Sequence, residues 1–113
     1  MRDLLAKYGS DGFDVVYSHN DSMTLGVLDV LADTENAPKD LILITVDGEK
    51  EAVDALKAGR INCVVQCTPH LGSDVMKLVG DLKEGRELPK VNHPDEKAFS
   101  DFDDLSDPAV EGF

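Results

Sequence analysis

The chain has 113 residues, of which 42% are hydrophobic and 5% aromatic, with no Trp. That composition belongs to one small globular domain with an aliphatic core, not to a disordered chain. Against 11 basic residues stand 23 acidic ones, a net charge of -12; such a surface repels phosphates and anionic lipid and argues against nucleic-acid or membrane partners, although the same charge also serves plain solubility.

No apolar run of about 18 residues occurs, so no transmembrane helix is expected. Met1 to Tyr8 carries Arg2, Asp3 and Lys7 and reads as an amphipathic helix over 2–8, stopped by Gly9. With no apolar segment behind those charges, it does not read as a signal peptide. Phe13 to Ser18 predicts a short strand. Ser22 to Ala32 predicts a helix with Met23, Val27, Val30 and Leu31 on one face, capped by Asn20 or Asp21. A loop with Pro38 follows. Leu41 to Val46 is a continuous apolar run, as expected of a strand buried on both faces of a parallel sheet. Asp47-Gly48 reads as a turn. Glu49 to Ala58 predicts a helix with Val53 and Leu56 inward and Gly59 as its stop. Ile61 to Gln66 is a third strand. Pro69 opens a helix with the stripe Leu71, Val75, Leu78, Val79 and Leu82, ended by Gly85. Residues 92–113, rich in acidic side chains with two prolines and scattered Phe, read as an extended acidic tail with room for one docked stretch.

Cys63 and Cys67 are the only cysteines. Four positions apart in one strand, they lie about 13 Å from each other, too far for a mutual disulfide. Even with His70 nearby they make a poor metal site, and they read instead as small apolar side chains.

Strands alternating with helices over short loops indicate an α/β fold, a parallel sheet flanked by helices. In such sheets ligands bind beyond the carboxyl ends of the strands. His19, Asn20 and Asp21 follow the first strand, Asp47 the second, and Gln66 ends the third. Planar amides and carboxylates at one edge suit a polyhydroxyl ligand: the amide both donates and accepts, and the carboxylate takes two vicinal hydroxyls. Taken singly, Asn20 and Asp21 equally read as helix caps, Asp47-Gly48 as a turn and Gln66 as a solvent-facing amide. Catalysis finds little support, although His19, Asp21, Asp47 and His70 are groups capable of acid–base work. There is no Gly-x-Ser-x-Gly elbow, no phosphate-binding glycine loop and no Cys–His pair in a clear context.

Val16-Tyr17-Ser18-His19-Asn20-Asp21-Ser22-Met23-Thr24-Leu25-Gly26 resembles the Asn-Asp-x-Met-Ala-x-Gly segment of ribose- and galactofuranose-type periplasmic sugar-binding proteins of ABC importers. Ile44 to Gly48 is similar to their next strand and Asp-Gly turn. Glu51 to Gln66 resembles their acidic helix, Ala-Gly-Lys and strand stretch, and Pro69 to Gly72 the start of the helix after it. The resemblance covers residues 1 to about 91. It implies a partial type I periplasmic-binding-protein lobe, Rossmann-like, over residues 1–67. A segment 68–91 would cross to the other lobe, with 92–113 as an acidic tail unlike the family's closing strand.

The resemblance further implies that Asn20, Asp47 and Gln66 contact sugar hydroxyls, with Asp21 beside them in a capping role; Thr24, in place of the usual Ala, is expected to matter little. The implied function is monosaccharide binding for ABC-type import, extracytoplasmic, with an ABC permease as partner and neither cofactor nor catalysis. The effector domain of a LacI-type repressor shares the fold and is the alternative. Because the family clamps its ligand between two lobes and no first lobe corresponds here, the chain reads as truncated. The stripe of helix 70–84 is expected to be covered by self-association into a homo-oligomer.

Overall fold

The structure, a computed structural model, describes residues 1–113. Its elements are α1 (Arg2–Tyr8), β1 (Val15–Tyr17), α2 (Asp21–Ala32), β2 (Ile42–Asp47), α3 (Lys50–Lys57), β3 (Cys63–Gln66), α4 (Gly72–Lys83) and β4 (Ala98–Ser100). The strands lie side by side in the order β1-β2-β3-β4. β1, β2 and β3 are parallel, with Tyr17 opposite Ile44 and Val46 opposite Val65.

The core sits between this sheet and α2 and α3. Leu43 and Thr45 of β2 and Val64 of β3 face it and are buried, while Ile42 and Val65 on the other face stay exposed, the two-residue alternation of a pleated strand. α3 contributes Ala52, Val53, Ala55 and Leu56, none more than 1% exposed. These positions form one helical stripe. The two alanines let the helix approach the sheet closely while Val53 and Leu56 fill the space beside Ile61. Burying a side chain such as Leu56 stabilises the fold by about 1.5–3 kcal/mol.

The three-strand parallel sheet expected from the sequence becomes a mixed sheet of four. β4 pairs antiparallel with β3, placing Phe99 opposite Val64. The stretch read as an extended tail returns to the sheet: Phe99 and Val110 are buried and Leu105 packs against the core. The free backbone groups on the outer edge of β3 need partners, and Ala98-Phe99-Ser100 supplies them together with one apolar anchor. Three residues are too few for any period to show in the sequence. Cys63 sits half-buried in β3, but Cys67 lies one residue past the strand and is exposed, so only one thiol is an interior side chain.

α4 stands apart. None of its residues is buried, and Val75, Val79 and Leu82 are at least half exposed. The segment after it runs back alongside, with Leu88 and Pro94 near Leu71 and Leu78. The chain's radius of gyration is 18.3 Å, against about 13 Å for a compact chain of this length. Two parts extend beyond the core: α1, which buries no residue, and the excursion from Cys67 to Lys97, which leaves the body at the end of β3 and comes back as β4.

Candidate functional site

The three parallel strands end at one edge, and the loops that leave it carry every candidate. Asp47 and Gln66 are register partners on β2 and β3, so their backbones lie about 4.8 Å apart. Both are half-buried. Asn20 stands at the neighbouring strand end, also half-buried. Its extended backbone opens α2, and its Oδ1 accepts the Met23 N–H at 2.9 Å. That contact satisfies one of the donors left over at a helix start. It also decides which end of the amide faces outward: a backbone N–H only donates, so the oxygen must turn to it and Nδ2 is left for the solvent side.

Asp21 is placed differently from the other three. It is fully buried, so it does not reach the edge where a ligand would lie. Its Oδ1 accepts from the Thr45 hydroxyl at 2.7 Å, and its Oδ2 accepts the Gly48 and Glu49 N–H groups at 2.8 and 2.7 Å. Three donors at short range are what a buried carboxylate requires, and its place in the first turn of α2 adds a favourable helix dipole. The side chain therefore ties the start of α2 to the turn after β2. It supports the site from beneath.

Thr24, expected to be of little consequence, belongs to this support. It is 1% exposed, and its hydroxyl donates to the Thr45 hydroxyl at 2.8 Å. A buried line Thr24–Thr45–Asp21 results, which an alanine at 24 would break. The sequence does not show which residue Thr45 of β2 meets. A polar residue inside an apolar run was the one signal that it has a partner.

The turn these groups hold is strained. Asp47 has φ 125° and Gly48 φ 93°. For a non-glycine residue a backbone of this kind costs about 1–3 kcal/mol and persists only where the surroundings impose it. Gly48 is required for a second reason: a Cβ there would stand 2.8 Å from Cγ of Gln66, so only glycine lets the Gln66 side chain lie across the turn.

A third contributor comes from Glu111–Phe113, within the stretch read as a tail with room for one docked part. Phe113 donates its N–H to the Gly48 carbonyl and accepts the Lys50 N–H, both at 3.1 Å. Gln66 Nε2 donates to the Glu111 carbonyl at 3.3 Å, and the Phe113 ring meets His70 edge-on at 5.9 Å. His19 instead stacks edge-on with Tyr17 at 5.4 Å. The cavities beside Met23, beside Leu78, beside Asp14 and beside Tyr8 include none of Asn20, Asp47 and Gln66. The site is an open ledge that offers a donor at Asn20, an acceptor carboxylate at Asp47 and an oriented amide at Gln66.

Residues 1–87 match the sequence profile of the family described as "Periplasmic binding protein domain". The chain is 31% identical over 96 residues to the fructose import binding protein of Bifidobacterium longum, an alignment covering 85% of this chain and 29% of that protein. Among solved structures, a Mycobacterium smegmatis protein in complex with β-D-fucofuranose superposes with a TM-score of 0.71 at 28% identity, over 87% of this chain and 32% of that one. The periplasmic binding protein of an arabinose ABC transporter from Shewanella sp. ANA-3, bound to α- and β-L-arabinofuranose, superposes with a TM-score of 0.75 at 25% identity, over 87% of this chain and 33% of that one. The chain thus spans about a third of the length of the proteins it matches.

Proposed function

The chain belongs to the periplasmic binding protein domain family, and on that premise we propose that it is a monosaccharide-binding part of a solute-binding protein for ABC-type import. The observation that carries the reading is the pairing of Asp47 with Gln66 in register, beside Asn20, at the carboxyl edge of the sheet. These groups bind and orient hydroxyls; nothing in the reading asks them to break a bond. Asp47 accepts from two hydroxyls of the sugar, Asn20 donates through Nδ2, and Gln66 contributes its amide oxygen. Asp21 holds the turn that carries Asp47. The ligands named for the similar proteins are furanose and ketose sugars, which is why pentoses and fructose lead the list to be tried. The reading places the protein outside the cytoplasm, with a permease as its membrane partner.

In the same reading, residues 1–67 and the returning strand form the body of one lobe, and the excursion that contains α4 is the part that reaches toward a second body. The exposed stripe of α4 and its distance from the core support this division. A homo-oligomer that covers the stripe is part of the proposal. The repressor effector domain is not favoured by any feature of the ledge.

The test is a thermal-shift screen of the purified chain against pentoses, hexoses and fructose, with Asp47→Ala as control. A ligand that binds only the folded state raises the melting temperature. A rise with one sugar, absent in Asp47→Ala, is the expected result. No rise with any sugar, or a rise that Asp47→Ala retains, would contradict the proposal.

A further inference from the structure

The segment from Val110 to Phe113 lies against Gln66 and against the turn that follows Asp47. Three backbone or amide bonds join it there. The Phe113 N–H reaches the Gly48 carbonyl and the Lys50 N–H reaches the Phe113 carbonyl, a two-bond bracket across the turn that begins at Asp47. Gln66 Nε2 reaches the Glu111 carbonyl. Val110 is 6% exposed and anchors the segment in the core. At Gly112 the approach is closest: a Cβ there would stand 2.5 Å from Cα of Lys50. Backbone cannot yield as a side chain tip can, so a residue with a side chain at 112 pushes the segment off the turn.

We propose that Glu111–Phe113 is a positioning element of the ledge, a role that rests on the sugar-binding reading only for its effect on affinity. It acts in two ways. The bracket and the Asp21 carboxylate both hold the Gly48–Lys50 backbone, so the turn that follows the strained Asp47 is fixed by two clamps. A carbonyl only accepts, so Glu111 obliges Gln66 to turn its amide nitrogen inward, which leaves Oε1 as the group presented at the ledge. The segment thereby sets Gln66 as an acceptor and selects for a ligand with a hydroxyl proton at that point. Residues far along the chain from Asp47 and Gln66 decide how those two side chains are offered.

The experiment compares the free wild-type chain with Gly112→Ala by amide hydrogen exchange, with the amides of β3 as internal reference. Exchange at Gly48, Glu49 and Lys50 is expected to accelerate together by about tenfold or more while β3 is unchanged. If Lys50 alone loses protection, the Asp21 carboxylate holds the turn unaided and the proposal is overturned. Unchanged protection at Lys50 overturns it as well. Deletion of residues 111–113 removes the bracket without forcing a Cβ into the body, and is held to the same outcomes should Gly112→Ala disturb β3.

Calorimetric titration with L-arabinose and D-fructose follows on both proteins. Where the wild type binds, a dissociation constant weakened about tenfold or more supports the orienting role, and an equal constant refutes it. Should the wild type bind neither sugar, nor any other in the thermal-shift screen, it is the sugar-binding reading that fails, and the exchange result alone decides the positioning of the turn.

Discussion

The Thr45 hydroxyl donates to the Asp21 carboxylate at 2.7 Å, and both side chains are closed to solvent. This one contact joins the middle of the central strand to the start of α2, two pieces of chain that each carry a ledge residue at their end. It makes the geometry of the ledge a property of the interior as much as of the surface.

Replacing Thr45 with Val keeps the shape and removes the hydroxyl. Asp21 Oδ1 then lacks its donor while buried away from water, and the Thr24 hydroxyl is left with the Asn20 carbonyl at 3.3 Å. A loss of about 1–3 kcal/mol is expected, read as a lower urea midpoint with the slope unchanged. Thr45→Ser, which retains the hydroxyl, should recover most of the lost midpoint; if Ser and Val are equally destabilising, the bond is not what matters.

Asn20 has two duties that a pair of substitutions separates. Ser is as good a helix cap as Asn, whereas Ala costs about 1 kcal/mol there. Asn20→Ser should therefore melt with the wild type and Asn20→Ala below it. Both lack Nδ2, and both should lose the sugar response expected of the wild type. Retained binding in Asn20→Ser would confine the residue to capping.

The two thiols should differ in reactivity. Burial pushes the Cys63 thiol up from its ordinary range, and the Asp101 and Asp103 carboxylates add to this by opposing a second negative charge. At a given pH a raised thiol holds less thiolate, the reactive form. Cys67 is exposed. Iodoacetamide at pH 8 should therefore label Cys67 before Cys63, with the gap closing in denaturant. Peptide mapping that found Cys63 modified first would refute this.

The stripe on α4 offers a direct test of self-association. Val75 and Val79 are both 50% exposed, on successive turns of one face. Light scattering behind size exclusion should show a concentration-dependent oligomer for the wild type and a monomer for the Val75→Asp, Val79→Asp double variant. A wild type that stays monomeric at every concentration removes the homo-oligomer from the proposal.

The order of elements was legible because each strand from β1 to β3 is apolar and each helix has a periodic face. Asn20, Asp47 and Gln66 were legible because they fall where strands end. What escaped the sequence has a common cause. β4 is three residues long, and the docking of Glu111 to Phe113 depends on backbone groups, which are the same in every residue. Asp21 reads identically to Asn20 as a cap; only the packing of α2 on β2 turns its carboxylate inward. Thr24 and Thr45 lie 21 positions apart, and no local pattern reports that they touch.

The bareness of α4 has a consequence for how the sequence can change. Because no residue from Gly72 to Lys83 is buried in the chain's own core, substitutions on its exposed positions are expected to change stability by little. A change on the stripe would leave melting of the body nearly unmoved and would register through whatever the arm meets. The residues that hold the ledge are in the opposite position: a change at Asp21, Thr45 or Gly48 must be survived by the fold before it can be judged by a ligand. Damage to the ledge is therefore read first in melting, and damage to the stripe first in association.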